Sequence, residues 1–245
     1  MDRNDLSERI ETCPDLKTLF ALWEQAHKAD PLCACNTQSK GAKMAPKESF
    51  IEDGNGANYW RASPRVLFVL REAHAYGADQ SVHADYGEWL EEGRFTQWFM
   101  DGDKNIDRME GLSLRTFRKY RQDAGKIASL IDDRLTLDDV AYMNLDKRGG
   151  FENTKHAILR KYVNNYRDFI RREIAILDPD WIVCCGTFGH VLDVLDIDDM
   201  GEGAVPCRIL ENWGGKERKI LNVYHLSAFG KYKNDFEKIG REISR

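Results

Sequence analysis

Residues 65–74 read RVLFVLREAH, an apolar run that ends abruptly in ionisable side chains. A run of Val, Leu and Phe without polar alternation is typical of a strand covered on both faces, as in a parallel sheet. In such sheets, ligands bind beyond the carboxyl ends of the strands. We therefore expect Arg71, Glu72 and His74 to lie at a ligand-binding edge, with the start of a solvated loop as the simpler alternative.

Three later segments repeat this order of apolar strand, polar or small residue, and helix. Together with the first segment they predict an α/β fold with a four-stranded parallel sheet between two helical layers. In a three-layer α/β/α arrangement of this kind, the carboxyl ends of all four strands face one crevice. The later strands are predicted over 140–143, 181–185 and 219–224, and they end near Asn144, Gly186 and His225.

The chain is expected to form a single domain, 1–245, because this length suits one hydrophobic core. Region 1–63 is interpreted as an N-terminal helix and a loop that wraps the core, and region 76–138 as a helical insertion. Helices are predicted over 14–28, 86–100, 114–131 and 154–177, followed by a short one through 191–195 and a last one through 229–243.

Composition and charge restrict the class of protein. Hydrophobic residues make up 42% and charged residues 31% of the chain. No apolar run is long enough to span a bilayer, and the first residues lack a signal-peptide pattern. A cytoplasmic protein without a membrane partner is therefore expected. The net charge of -5 argues against a protein that coats nucleic acid over its whole surface.

The six cysteines form neither a secreted disulfide framework nor a repeated Cys-x-x-Cys pair. Cys33 and Cys35 could supply two ligands to a metal, but a closed metal site needs about four. Two free thiols in a loop are the preferred interpretation. Neither a metal nor another cofactor is therefore predicted.

Charge is unevenly distributed along the chain. Residues 144–172 contain eight Lys or Arg against three acids, whereas residues 178–202 contain seven acids and no Lys or Arg. Because an acidic protein approaches phosphates only through a local positive patch, the first segment predicts a local basic face that would carry any DNA binding. Lys147 and Arg148 are the residues predicted to carry this contact. An ordinary solvated helix face is the alternative.

The ends of the predicted strands resemble motifs of the uracil-DNA glycosylase superfamily. The branch concerned has Gly-Glu-Ala-Pro-Gly after its first strand and His-Pro-Ser near its end, where residues 71–75 read REAHA and residues 225–227 read HLS. Residues 144–150, NLDKRGG, resemble the family's Asn-containing stretch. Residues 178–186, DPDWIVCCG, resemble its Pro-x-x-Ile-Val-x-x-Gly strand. The four motifs occur in the family's order, and the helical insertion matches none of them.

The chain departs from these motifs at several positions. Arg71 and Ala75 replace two glycines, His74 replaces the first proline, and Leu226 replaces the second. The backbone of the first motif is therefore expected to differ from the family's. The iron-sulfur branch of the family also uses four cysteines, and the second pair that it needs is absent. No cluster is predicted.

The resemblance implies hydrolysis of the N-glycosidic bond of uracil or another damaged base. This cleavage builds positive charge on the sugar and negative charge on the departing base, so the site needs an anion near one and a donor near the other. Glu72 would stabilise the sugar or orient the water, and His225 would donate to the base. The structural alternatives are an ion pair between Glu72 and Arg71, and a strand-capping role for His225.

Further residues would bind the substrate. Asn144 could read the pairing edge of a flipped base or only hold a turn, and Tyr76 could stack on that base. Ser227 could bind a phosphate. Phe229 could fill the gap left by the flipped nucleotide, but it also fits the apolar stripe of the last helix. The remaining residues predicted to bind substrate are Arg71, His74 and Gly186.

The sequence leaves two functions open. The first is a DNA glycosylase of base-excision repair, a hydrolase that acts on single-stranded or double-stranded DNA. The second is a catalytically diverged relative that binds nucleic acid or a nucleotide, because bulky Arg71 and His74 stand where the family has Gly and Pro. Release of uracil from DNA would distinguish the two.

Overall fold

The computed structural model describes residues 3–29, 50, 52–74, 114–150, 156–198, 207–226, 228, 230 and 233–244. Within these ranges the backbone alone is described at 3–4, 72–74, 114–118, 148–150 and 207–212. The predicted helix over 86–100 and most of the predicted wrapping loop lie outside the described residues. So do Cys33, Cys35, Tyr76, Ser227 and Phe229.

A six-stranded sheet forms the centre of the described structure. Its strands are β1 (Gly54–Asn55), β2 (Val66–His74), β3 (Val140–Gly150), β4 (Trp181–Cys185), β5 (Cys207–Trp213) and β6 (Lys216–Val223). Their order is β1-β3-β2-β4-β6-β5, with four parallel inner strands and two antiparallel edges. The prediction of an α/β protein with a mostly parallel sheet is confirmed. The predicted count of four strands is wrong, because both edge strands are missing from it.

Edge strand β5 could have been found from its turn. β5 and β6 form a hairpin in which Trp213 pairs with Lys216. The two residues between them, Gly214 and Gly215, have φ values of 65° and 84°, and a type I′ turn requires positive φ at both positions. Two strand-like runs separated by Gly-Gly are a sequence signal for such a hairpin. Edge strand β1 has only two residues and gives no comparable signal.

Seven α-helices accompany the sheet within the described residues. They are α1 (Arg3–Glu11), α2 (Leu16–Ala29), α3 (Leu114–Ile131), α4 (His156–Asn165), α5 (Arg167–Leu177), α6 (Phe188–Leu195) and α7 (Phe236–Ile243). The helix predicted over 114–131 is confirmed at both ends. The last helix begins later than predicted, at Phe236, where the Asp235 carboxylate accepts from the Lys238 N–H and so caps it. None of the described helices is both long and apolar enough to cross a membrane.

The long helix predicted over 154–177 is two helices, α4 and α5. Tyr166 separates them, because its backbone (φ -112°, ψ 23°) leaves the helical range. Its ring centroid lies 4.6 Å from that of Tyr162 and 6.2 Å from that of Phe169. The break therefore brings three rings together in the core. Tertiary packing has overridden a continuous helical pattern in the sequence.

Alternate residues of strand β2 pack in two different hydrophobic clusters. Leu67 and Val69 pack with residues of α1, α2, α4, α5 and α6, whereas Val66, Phe68 and Leu70 pack with residues of α3 and α7. All five of these side chains are buried. Because both faces of the strand are covered, no position calls for a polar residue, and this explains the apolar run in the sequence.

We predict that Gly56→Ala destabilises the edge of the sheet. The N–H of Gly56 donates to the carbonyl oxygen of Val140 at 2.8 Å and so attaches the segment after β1 to β3. A Cβ at Gly56 would lie 2.2 Å from the carbonyl oxygen of Asp138, a backbone atom that cannot rotate away. The free energy of unfolding, measured by urea denaturation, should fall by about 1–3 kcal/mol.

Gly125→Ala is the matched control for this variant. A Cβ at Gly125, in α3, would meet nothing within 4 Å. Alanine is favoured over glycine inside a helix by about 0.5–1 kcal/mol, so the control should gain stability. Equal losses in the two variants would show that the collision with Asp138 is not the cause.

Candidate functional site

The order of the parallel strands reverses at β2. β3 lies on one side of it, while β4 and then β6 lie on the other. In open α/β sheets, ligands bind at such a switch point, in the crevice beyond the carboxyl ends of the two strands concerned. Here these strands are β2 and β4, and the pairing of Val69 with Cys184 brings Arg71 and Gly186 to the same level of the crevice.

Arg71 and Gly186 are in contact across the switch point. The Arg71 Nε donates to the Gly186 carbonyl oxygen at 3.3 Å, and a Cβ at Gly186 would lie 2.7 Å from a terminal guanidinium nitrogen. Gly186 also has a φ of 71°, which residues with a side chain rarely adopt. The Thr187 hydroxyl donates to the Val69 carbonyl oxygen at 2.8 Å. The turn after β4 is therefore tied to β2 at two points, and glycine is required within it.

His225 follows strand β6 at the same edge of the sheet. It lies two residues beyond Val223, the last residue of β6, and it is partly buried. Its ring centroid lies 6.4 Å from that of Tyr120 in α3, with 69° between the ring planes. Tyr224, the residue before it, is 49% exposed. An imidazole and an exposed phenol ring therefore follow one another at this strand end.

Glu72 and His74 continue strand β2 past the end of β4. Glu72 pairs with Asp146 and His74 pairs with Gly150, so β2 and β3 extend together along the crevice. Only the backbone of Glu72, His74 and Arg148 is described. The roles predicted for these side chains stay predictions, as do those of Tyr76, Ser227 and Phe229 outside the described residues.

Asn144 lies within β3, which continues to Gly150, so the strand end predicted near Asn144 is wrong. Asp53 holds Asn144 at this position. The Asn144 backbone N–H donates to Asp53 Oδ2 at 2.7 Å, and its side-chain amide donates to Asp53 Oδ1 at 2.8 Å. Both residues are buried. Asp53 thereby fixes which end of the Asn144 amide is the donor, and the role of Asn144 in reading a base stays a prediction.

Lys147 does not belong to an exposed basic face, so the prediction of a DNA contact for this side chain is wrong. The side chain is completely buried, and its ammonium group binds the carboxylates of Asp53 and of Glu173, the latter at 2.7 Å. Its Nζ also donates to the Asn144 carbonyl oxygen at 2.9 Å and lies 4.8 Å from the ring centroid of Trp23. We call Asp53, Lys147 and Glu173 the Lys147 cluster.

Lys147 lies at a bulge in strand β3, but on the buried face of that strand. The register of β3 against β2 shifts after Glu72, so that Lys147 and Arg148 have no pairing partner in β2. Its contacts with α2 and α5 place it on the same face of β3 as Met143 and Leu145, four and two residues earlier. The alternation of faces along the strand therefore continues through Lys147 and takes this side chain into the core.

The electrostatics of the Lys147 cluster favour a charged lysine. Burial acts to lower the pKa of Lys147, but the Asp53 and Glu173 carboxylates outweigh it and hold the pKa above the ordinary value. Burial raises the pKa of Glu173 well above its usual range, and Lys147 offsets only part of this. Glu173 Oε1 has no hydrogen-bond partner among the described residues. Glu173 therefore keeps one buried oxygen at which a proton could be held.

Asp53 and Glu173 are not among the residues predicted from the sequence. The burial of Glu173 could have been predicted, because its position in α5 falls in phase with Ile170, Ile174 and Leu177 on the apolar stripe. A lone acid on an apolar stripe predicts a buried cation near it. Asp53 lies in a stretch whose composition predicts a loop, and nothing around it indicates burial.

Two other arginines of the predicted basic face are bound to an acid. Arg167 and Arg171, near the start of α5, both bind the Asp196 carboxylate at the end of α6. The basic and acidic segments of the sequence therefore lie against each other and partly neutralise each other. Arg160 and Lys161 in α4 are exposed, so a contact with phosphates can still form there.

We predict that Lys147→Met strongly destabilises the protein. Methionine has a similar volume, but it leaves the Asp53 and Glu173 carboxylates buried without their cation. Breaking a buried pair in this way costs about 3–5 kcal/mol, measurable by urea denaturation. Lys216→Met is the matched control, because Lys216 binds Asp178 and Asp180 where all three side chains are partly exposed. An ion pair in such a position contributes only about 0–1 kcal/mol.

The loss of unfolding free energy caused by Lys147→Met should become smaller as the pH falls. A carboxylic acid whose pKa is raised by folding makes stability fall as the pH rises from its unfolded pKa to its folded one. For Glu173 this window begins near the ordinary value of 4.5 and extends upward. Loss of Lys147 should widen it, because the cation that lowers the pKa is gone. A deficit that is the same at about pH 5 and about pH 8 would contradict this account.

No protein-family model matches the chain, and no curated protein does. The resemblance to the uracil-DNA glycosylase superfamily therefore stays a prediction from four short motifs. The fold adds their placement: the backbone of all four reaches the carboxyl edge of adjacent parallel strands, in the order β3, β2, β4 and β6.

Proposed function

We propose that the chain is a DNA glycosylase-like hydrolase that cleaves the N-glycosidic bond of uracil or another damaged base. The observation that supports this most is the position of Glu72, Gly186 and His225 at the carboxyl ends of β2, β4 and β6, three adjacent parallel strands. The finer architecture, a three-layer uracil-DNA glycosylase fold, belongs to the same proposal.

The spacing of these strands suits a nucleoside. Neighbouring strands lie about 4.8 Å apart, so β2 and β6 are separated by roughly 10 Å, with β4 between them. A deoxyribose near Glu72 and a base near His225 fit within that width. Gly186, in the turn after β4, has no side chain of its own, and the Arg71 guanidinium group lies beside it in the middle of the crevice.

The proposed reaction adds water to C1′ of the deoxyribose while the bond from C1′ to the base nitrogen breaks. The base leaves with the electron pair of that bond, and His225 donates to the oxygen on which negative charge develops. The Glu72 carboxylate stabilises the positive sugar and accepts the proton of the attacking water. In duplex DNA the base must first be turned out of the stack.

Asn144 fits a role in reading the base. A side-chain amide distinguishes bases only if its donor and acceptor ends are fixed, because a flipped amide presents the opposite pattern. Asp53 accepts from the Asn144 Nδ2 at 2.8 Å and so fixes the amide. The Lys147 ammonium group in turn holds the Asp53 carboxylate. The Lys147 cluster would therefore support substrate recognition from inside the core.

Binding without catalysis is the second candidate function, and the contact of Arg71 with Gly186 favours it. The guanidinium group lies at the switch point, where the family motif has a glycine. A cation in this position suits the phosphate of a nucleotide or of a DNA strand. In that case Arg71→Ala should weaken binding of uracil-containing DNA and of a free nucleotide, whereas the parent should release no base.

Release of uracil from single-stranded and double-stranded oligonucleotides tests the proposed activity. Acid–base groups of this kind contribute about 10²–10⁴-fold to rate, so Glu72→Gln and His225→Ala should each lose activity within that range. Lys216→Met is the control, because Lys216 lies at the opposite, amino end of β6 and should not affect the rate. Unchanged rates in Glu72→Gln and His225→Ala would refute the assigned roles.

We predict that DNA binding is local to the face formed by α4 and the bulge of β3. Lys161→Glu and Arg148→Glu should each weaken binding and lower its salt dependence by about one unit of slope per lost phosphate contact. Lys17→Glu, at an exposed position of α2, is the matched charge reversal. Equal effects of Lys17→Glu and Lys161→Glu would show that net charge, and not this face, governs binding.

A further inference from the structure

The backbone before His225 is held by a side chain. The Tyr224 N–H donates to Asn234 Oδ1 at 2.8 Å, and the Asn234 Nδ2 donates to the Tyr224 carbonyl oxygen at 3.3 Å. An antiparallel strand binds its neighbour through the same two groups of one residue. Asn234 is only 6% exposed, so its amide lies largely out of water.

The orientation of the Asn234 amide is set by Asp123. Its Nδ2 also donates to Asp123 Oδ2 at 3.3 Å, and that oxygen accepts from the Lys119 Nζ at 2.7 Å. Asp123 is 2% exposed. A flipped amide would place its oxygen against a buried carboxylate and its donors against the Tyr224 N–H, leaving both sides unsatisfied. Helix α3 therefore determines how the Asn234 amide hydrogen-bonds to the backbone after β6.

The chain after His225 is fixed as well. The Ala228 N–H donates to the His225 carbonyl oxygen at 2.8 Å, closing a turn, and the Leu226 side chain is completely buried. Asn234 is itself anchored, because the next residue, Asp235, caps α7. The segment around His225 is thereby restrained on both sides.

We propose that Asn234 is a positioning residue for His225, with its amide oriented by Asp123. This inference rests on the proposed function, in which His225 donates to the departing base. In the family motif that the segment resembles, a proline follows the histidine, and its ring restricts the backbone φ angle. Here Leu226 stands in its place, and hydrogen bonds from Asn234 supply the restraint from outside the motif.

Three variants test the proposal. Asn234→Asp keeps the shape but places a second carboxylate opposite Asp123 and loses the donor to the Tyr224 carbonyl oxygen. Asp123→Asn removes the group that orients the amide. In the double variant Asn234→Asp with Asp123→Asn, the new amide at position 123 can donate to the new carboxylate at position 234. That carboxylate can still accept from the Tyr224 N–H. Recovery in the double variant measures the coupling of the two residues.

The expected results are specific to positioning. In Asn234→Asp, hydrogen exchange of the Tyr224 amide should become faster, and the NMR titration of the His225 imidazole should shift. The kcat for uracil release should fall by about 10- to 100-fold with little change in KM, because a displacement of about 1 Å costs this much. The double variant should recover most of the amide protection and of the rate. Lys216→Met should alter neither the Tyr224 amide exchange, nor the His225 titration, nor the kcat.

The outcomes separate this inference from the proposed function. If the parent releases no base, the function fails, but the exchange of the Tyr224 amide and the titration of His225 still decide the positioning role. A thermal destabilisation of Asn234→Asp with unchanged Tyr224 exchange and unchanged His225 titration would overturn the inference. So would equal behaviour of Asn234→Asp and the double variant in these two measurements.

Discussion

The enclosed ammonium group of Lys147 joins parts of the chain that are distant in sequence. Lys147 lies in the bulge of β3, Asp53 immediately precedes β1, and Glu173 lies in α5. Taking an ion out of water costs several kcal/mol, so this lysine is tolerated in the core only while both carboxylates face it. The edge strand, the bulge and helix α5 therefore depend on one another. The same carboxylate of Asp53 holds Asn144, and this connects the charge cluster to the edge of the sheet that carries the candidate site.

Buried polar groups support that edge from both faces of the sheet. On the face that packs with α2 and α5, the Lys147 cluster holds the end of β3. On the face that packs with α3 and α7, Asp123 orients Asn234, which holds the strand end before His225. A hydrolytic site needs its groups held in defined positions, because small displacements reduce the rate steeply. This support would hold the groups of the proposed site in defined positions.

The two ends of the sheet are built differently. At the amino ends of the strands, Asp178 accepts from Arg65, Lys216 and Arg218. Burial acts to raise the pKa of Asp178, but hydrogen bonds from Arg218 and Lys216 outweigh it and lower the pKa. This contribution to stability is therefore present above the ordinary carboxyl pKa and is lost as the pH falls. Acids and bases satisfy one another at that end. At the carboxyl ends, Arg71 contacts Gly186 across the switch point of the sheet, and the His225 ring lies 6.4 Å from that of Tyr120 in α3.

The sequence by itself determined the α/β class, the four inner parallel strands, helix α3 and the polar or small residue that follows the apolar part of each of these strands. It could do so because a strand covered on both faces must be apolar throughout, and an amphipathic helix must repeat its apolar positions. Only the tertiary structure decided that the helix over 154–177 breaks at Tyr166 and that Lys147 enters the core. The pairing of Arg167 and Arg171 with Asp196 and the orientation of Asn234 by Asp123 were also decided there. Each of these depends on contacts between residues far apart in the chain, whereas hydrophobic periodicity records only whether a position faces the core, not which polar group it will meet there.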